Sequence, residues 1–281
     1  MGVTIGVDIG GSSTKIIGFG DDKLIGTMLI MAADPLTSVY GAFGRFISAY
    51  KLTLGDIERV VATGVGSSYI TEPMYGIKTF RALEFNSTGL GGLYLSGLDR
   101  AIVVSMGTGT AFIKARTNSF THIGGSGVGG GLLLGLGDLL LGARNFDTIV
   151  QMAKLGKLEN IDLTIGDIMK GALGDMPPET TAANFGKISD VASKEDLALG
   201  IINLIFQSIG MMAIFVSRID DDKDVVLTGN LSAITQMKAL FGMLERLHNV
   251  TFHIPEHSEF STAIGAALCA QRDIDIEEIG G

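Results

Sequence analysis

The chain has 281 residues, 46% of them hydrophobic, enough apolar material for one large core or two modest ones. Its formal net charge of -9, with no run of Lys and Arg, argues against a nucleic-acid surface, because neutralising phosphates takes clustered cations. A single cysteine, Cys269, excludes an intrachain disulfide and a thiolate cluster within one chain, and points to a reducing, cytoplasmic setting.

The first residues read directly as a strand, with no basic region ahead of a long apolar run, so no signal peptide is expected. The apolar run from Met1 to Ile5 leads into Gly6-Val7-Asp8-Ile9-Gly10-Gly11-Ser12-Ser13-Thr14-Lys15, and a second apolar run spans Ile16 to Phe19. This is a hairpin with a phosphate-sized turn: Gly10 and Gly11 let backbone approach an anion, while Ser12, Ser13, Thr14 and Lys15 supply donors. Asp8 at the strand end is suited to position Mg2+ through water, since hard cations prefer oxygen ligands. The bland alternative is an ordinary Gly-Gly hairpin.

A turn at Asp21-Asp22 and a third strand over Lys23 to Met31 complete a meander; Val39, Phe43, Phe46, Ile47 and Tyr50 then mark one face of a helix within Leu36 to Leu52. Ile57 to Thr63 reads as a buried strand, with Gly64-Val65-Gly66-Ser67-Ser68 at the carboxyl end, where open α/β sheets bind ligands. Glu84, between Leu83 and Phe85 at the start of a helix reaching Leu98, has two readings. It is either a partly desolvated base or a first-turn acid stabilised by the helix dipole.

Ala101 to Ser105, Met106-Gly107-Thr108-Gly109-Thr110 and Ala111 to Ala115 repeat the opening pattern of strand, glycine-hydroxyl turn and strand. The repeat predicts two related domains facing each other across a cleft, 1–100 and 101–281. Gly124 to Gly131 then feeds a helix over Leu132 to Leu141, a pattern suited to an anion because helix N–H groups and dipole point outward together. Helices are expected over Asn145 to Leu155 and Thr164 to Lys170, and a loop over Glu179 to Asn184. Mean hydropathy is high, +0.40, and Leu197 to Val216 is apolar enough to raise the question of a membrane. Asn203, Gln207 and Ser208 within it favour a buried helix, Lys194 to Arg218, over a span. Lys223 to Leu227 is a strand ending in Thr228-Gly229-Asn230-Leu231-Ser232, followed by a helix over Ala233 to Leu247, a strand over Thr251 to Ile254 and a small-residue helix at Ser261 to Ala267.

Glycine-hydroxyl turns at successive strand ends resemble the actin-like ATPase superfamily of sugar kinases and heat-shock proteins, with Asp8 to Lys15 as first phosphate loop, Ser105 to Thr110 as second and Leu227 to Ser232, including Gly229, as adenosine loop. Within it the chain resembles the type II pantothenate kinases, through Glu84-Phe85, Gly107-Thr108-Gly109-Thr110, Gly124 to Gly131, Thr181-Ala182-Ala183-Asn184-Phe185-Gly186 and Phe260-Ser261-Thr262-Ala263-Ile264-Gly265-Ala266. The resemblance implies an α/β fold of two actin-like (ribonuclease H-like) domains, with mixed β-sheets flanked by helices and a nucleotide cleft between. It also implies ATP- and Mg2+-dependent phosphorylation of pantothenate, a small-molecule substrate, by a cytoplasmic homodimer without nucleic-acid or membrane partners. Glu84 matches the family's general base; Gly107 to Thr110 with Gly125, Ser126, Gly127, Gly129, Gly130 and Gly131 would clamp the triphosphate and shape the acceptor pocket, together with Ser105 and His122. The family often has arginine where this chain has His122, which lacks the bidentate fork of a guanidinium.

Other readings are a kinase for pantetheine or an amino sugar, a nucleotide-binding scaffold without turnover, and an ATPase that activates a partner enzyme. The activators bridge a dimer with an iron-sulfur cluster held by cysteines, and a lone Cys269 cannot supply two ligands per chain.

Overall fold

The computed structural model describes residues 2–11, 13–20, 23–31, 34–169, 174 and 176–280. The opening meander is formed by β1 (Val3–Ile9), β2 (Ser13–Gly20) and β3 (Lys23–Met31), paired antiparallel. The turn expected at Asp21-Asp22 lies outside the described residues. β1 and β2 are covered on both faces, which is why they read as continuous apolar runs. Helix α1 (Pro35–Ala49) starts at Asp34, whose carboxylate accepts from the Thr37 N–H at 2.6 Å, with Pro35 in the first turn, where no N–H is needed. Val39, Phe43 and Phe46 on its inner face are buried against the meander and β4 (Ile57–Thr63), which runs parallel to β1. β5 (Thr79–Ala82) lies parallel to β4 and leads into α2 (Glu84–Ser96).

The arrangement then repeats. β6 (Arg100–Met106), β7 (Thr110–Arg116) and β8 (Ser119–Ser126) form a second antiparallel meander, followed by α3 (Gly130–Leu136) and α4 (Phe146–Ala153). After β9 (Leu163–Thr164), α5 (Ile165–Ile168) and β10 (Thr181–Ala183) comes the long helix α6 (Lys194–Ile219). The chain closes with β11 (Asp224–Thr228), α7 (Met237–His248), β12 (Thr251–His253), α8 (Ser261–Arg272) and β13 (Ile276–Glu278). Among the described residues the first sheet has the order β13-β5-β4-β1-β2-β3 and the second β12-β11-β6-β7-β8. Each is therefore a meander extended by two parallel strands, with β13 added antiparallel to β5 at the edge of the first, and the fold is α/β with two mixed sheets flanked by helices.

Helix α6 is long and apolar enough to cross a membrane by length and composition. Its inner residues Ile201, Ile205, Ile209 and Ala213 are buried in the core of the second sheet. A reciprocal capping box at Ser193 and Asp196 fixes its start. Part of the Glu179 to Asn184 segment, expected as a loop, is strand β10, paired with β9. Buried Asp162 organises this region, accepting from Thr181 Oγ1 at 3.1 Å, Asn184 Nδ2 at 3.2 Å, the Phe185 N–H at 2.9 Å and Asn203 Nδ2 at 2.7 Å. The helix expected over Thr164 to Lys170 shrinks to one turn because Met169 is already extended, and Lys170 lies outside the described residues. The helix expected from Ala233 begins only at Met237, after a tight 3-10 turn over Asn230–Ala233.

Helices α2 and α8 link the two sheets. α2 follows a strand of the first sheet yet packs on β6, β7 and β8, whereas α8 follows β12 and packs on β1 and β4. They meet backbone to backbone: a Cβ added at Gly265 would overlap the Ser87 carbonyl, and one at Gly91 the Ser261 carbonyl. Valine at Gly265 must push the helices apart, so Gly265→Val is expected to cost about 2 kcal/mol or more in urea unfolding. An unchanged unfolding midpoint would show that the crossing has slack.

Candidate active site

Strand ends from both sheets converge on one cavity of about 590 Å3, within the range of small-molecule sites. From the first sheet come Asp8, Gly10, Gly11, Ser13 and Lys15, with Gly64 and Val65 at the end of β4. From the second come Ser105, Gly107, Thr108, Gly109, Thr110 and Ala111, then Gly125 and Ser126 on β8, and Gly229 and Asn230 after β11. Glu84 and Thr262, near the starts of α2 and α8, and His122 complete the lining.

The opening turn closes through the Gly10 N–H, which donates to the Ser13 carbonyl at 2.9 Å. Asp8 and Lys15 face each other across β1 and β2, and Lys15 Nζ lies 3.6 Å from Asp8 Oδ2. Burial raises the Asp8 carboxyl above the usual carboxylate range, and the nearby Lys15 ammonium partly offsets this. Gly64 and Gly229 occupy equivalent places, each following a parallel strand with φ of 83° and 89°. A side chain is excluded at both, since a Cβ would lie 2.6 Å from Asp8 Oδ1 at Gly64 and 2.6 Å from the Met106 carbonyl oxygen at Gly229.

Glu84 is the first residue of α2. Its carboxyl is raised above the ordinary glutamate range, mainly by desolvation and next by the charge of Asp8, with Lys15 opposing. Phe85 stacks flat on His122, with ring centroids 4.0 Å apart and planes 1° apart. A bulge in β8 sets this contact: Phe112 pairs with Gly124 and Ile113 with His122, leaving Ile123 between them without a partner.

The profile of the Fumble family matches residues 100–268. The chain belongs to the Fumble family. A type II pantothenate kinase from Bacillus cereus is 26% identical over 286 residues, covering 96% of this chain and 99% of that protein. One from Oceanobacillus iheyensis is 30% identical over 202 residues, covering 69% of this chain and 76% of that protein. Among solved structures, the activator of the 2-hydroxyisocaproyl-CoA dehydratase from Clostridium difficile with bound ADPNP superposes with a TM-score of 0.70 at 16% identity, over 97% of this chain and 95% of that one. This Fumble-family chain has the actin-like ATPase fold.

Not every residue singled out in the sequence reaches the cavity wall. Thr14 is buried within β2, where its hydroxyl accepts from Ser38 Oγ of α1 at 2.8 Å. Gly127, Gly129, Gly130 and Gly131 are outside the lining; the Gly130 and Gly131 N–H groups donate to the carbonyls of Gly107 and Thr108, each at 2.8 Å, so they brace the second loop rather than face an anion. Ser12 lies outside the described residues. Sequence reasoning left out Gly64, Val65, Ala111, Asn230 and Thr262 as site residues, although Gly64-Val65 and Asn230 lie in turns already marked as strand ends.

The raised carboxyls have a stability consequence. The native chain holds protons on Asp8 and Glu84 at pH values where the unfolded chain has released them, so ionisation lowers stability as pH rises through that window. Glu84→Gln removes its share, and urea unfolding at about pH 4 and about pH 7 should show the variant gaining on the parent at the higher pH. A stability difference independent of pH would mean that Glu84 ionises as freely as in the unfolded chain.

Proposed function

We propose that this chain is an ATP-dependent kinase that phosphorylates the primary hydroxyl of pantothenate, with Glu84 as general base. The observation that carries this reading is the convergence of glycine-hydroxyl turns from both sheets and two raised carboxyls, Asp8 and Glu84, in a single cavity, in a chain whose curated relatives are type II pantothenate kinases. The lobes are read as 1–100 and 101–281, with α8 and β13 returning to the first sheet. Gly11, Ser13 and Lys15, in the turn that the Gly10 N–H closes, hold one end of the triphosphate, and Gly107 to Thr110 hold it from the opposite wall. Gly229 and Asn230 border the nucleoside, while Ser105, His122, Gly125 and Ser126 border the acceptor.

The donor set suits Mg2+ carried on a nucleotide. Asp8 offers a carboxylate left uncrowded by the missing side chain at Gly64, and phosphate oxygens and water complete a hard-oxygen shell. Bound there, Mg2+ would neutralise phosphate charge. In the transfer, the acceptor hydroxyl oxygen forms a bond to the γ-phosphorus while the bond from phosphorus to the bridging β-γ oxygen breaks. ADP leaves with that electron pair, and the hydroxyl proton passes to Glu84. The chain's own contribution is position and charge, as phosphoryl transfer requires. A cytoplasmic homodimer belongs to this reading, joined through α6, which leaves Phe215 and Ile219 exposed.

The activator reading draws on the Clostridium difficile neighbour, but Cys269 argues against it. It is buried within α8, and burial pushes its thiol up to about 11, which disfavours the thiolate a cluster needs.

Steady-state transfer to a panel of pantothenate, pantetheine and amino sugars tests the assignment. Glu84→Gln should keep nucleotide affinity while transfer falls by about 100-fold or more. In the parent, rate should fall on acidification at a pH above the ordinary glutamate range, because protonation removes the base. A Gln variant as fast as the parent would remove Glu84 from the role. Acceptor-independent hydrolysis that answers only to a protein partner would favour the activator.

A further inference from the structure

The charges around the cavity are unevenly arranged. Among the described lining residues, Lys15 is the only Lys or Arg, against the two carboxylates Asp8 and Glu84. Lys15 is already engaged with Asp8 at 3.6 Å and lies in the turn assigned to phosphate. The guanidinium nearest to Glu84 in sequence, that of Arg81, is held elsewhere: it donates to the carbonyls of Ser67 at 3.3 Å and Ile70 at 3.0 Å and pairs with Glu277 at 3.5 Å.

The side of the cavity that carries Glu84 is bordered by apolar surface. Phe85 and His122 present a flat stack, Leu83 precedes Glu84, and Ile123, set out of register by the bulge, follows His122; Leu83, Phe85 and Ile123 are all exposed. An acceptor whose hydroxyl meets Glu84 and whose remaining length runs outward over His122 would lie beside these aromatic and aliphatic side chains, which flank the cavity rather than line it. A free carboxylate there would meet the field of Asp8 and Glu84 without a guanidinium to pair with. An amide-linked alkyl tail would meet surface it can cover at no electrostatic cost.

Resting on the kinase reading above, we propose that the acceptor tail is uncharged: the site prefers an alcohol whose far end is a neutral amide to one ending in a free carboxylate, and the stacked pair Phe85 and His122 determines that preference. His122 acts here as a specificity-determining residue and Glu84 as the base.

Pantothenate and its N-pentyl amide share the reacting hydroxyl and differ only at the far end, so their comparison in the parent protein isolates the tail. The amide is expected to show a kcat/KM at least about tenfold higher, and His122→Arg should shift the ratio by about tenfold toward pantothenate by supplying a planar cation. Phe85→Ala should lower the advantage of the amide while affecting pantothenate less. Calorimetric affinity for both compounds with ADPNP present separates this inference from the reading it rests on. Transfer to neither compound would overturn the kinase reading, and tighter binding of the amide would still support the tail preference. Equal or tighter binding of pantothenate, equal or better turnover of it, or binding of neither compound overturns the inference whatever the variants do.

Discussion

The close contact between α2 and α8 is the constraint on which the site depends. Each helix leaves one sheet and packs on the other, so the two sheets are held together through a crossing where carbonyl oxygens occupy the space side chains would fill. Such a contact gains dispersion and excludes water only while both positions stay glycine, because close-packed interiors transmit any added volume as displacement. Glu84 is the first residue of α2 and Thr262 the second of α8, so the crossing sets the separation between Glu84 and the Asp8-Lys15 turn. Packing between the helices thus becomes geometry at the candidate site.

The second organising feature is repetition. The order β3-β2-β1-β4-β5 in the first sheet has its counterpart in β8-β7-β6-β11-β12 in the second. The likeness extends to single residues: β4 is followed by Gly64 and β11 by Gly229, both with positive φ, and each leads into a 3-10 turn closed by a serine N–H donating back to the glycine carbonyl, from Ser67 at 3.0 Å and Ser232 at 3.1 Å. Two such halves face one another across the cavity with glycine-rich backbone on both walls. In the proposed reading, a chain of net charge -9 with one lysine among the described lining residues would hold phosphate largely through such backbone.

What was legible in the sequence follows from which forces act locally. The buried strands β1, β2, β4, β6 and β11 announce themselves as apolar runs, α1 by its Asp34-Pro35 start, and α6 by apolar periodicity. β5 and β13 are short and carry Arg81 and Glu277, and they pair with each other from distant parts of the chain, whereas β8 pairs locally with β7 but is largely solvent-facing and carries Thr121. The glycine stretch from Gly124 to Gly131 was visible, but not its division of labour. Gly125 and Ser126 face the cavity, whereas the N–H groups of Gly130 and Gly131 are taken up by carbonyls of the second loop, a pairing local pattern does not encode. Thr14 illustrates the same limit, because its hydroxyl is claimed by Ser38 on a helix that the chain reaches only later.

The electrostatics of the cavity join these levels. A general base works best when its proton affinity lies near the working pH, and a glutamate at the start of a helix would ordinarily be too weak a base. Here desolvation and the charge of Asp8 raise the Glu84 carboxyl against the opposing charge of Lys15, with Asp8 set opposite Lys15 in the opening hairpin and Glu84 at the head of a helix pinned by α8. In the proposed reading, the loop that holds phosphate and the residue that takes the proton are therefore coupled. Changing charge in the first alters the basicity of the second, even where no side chain of the loop touches the acceptor.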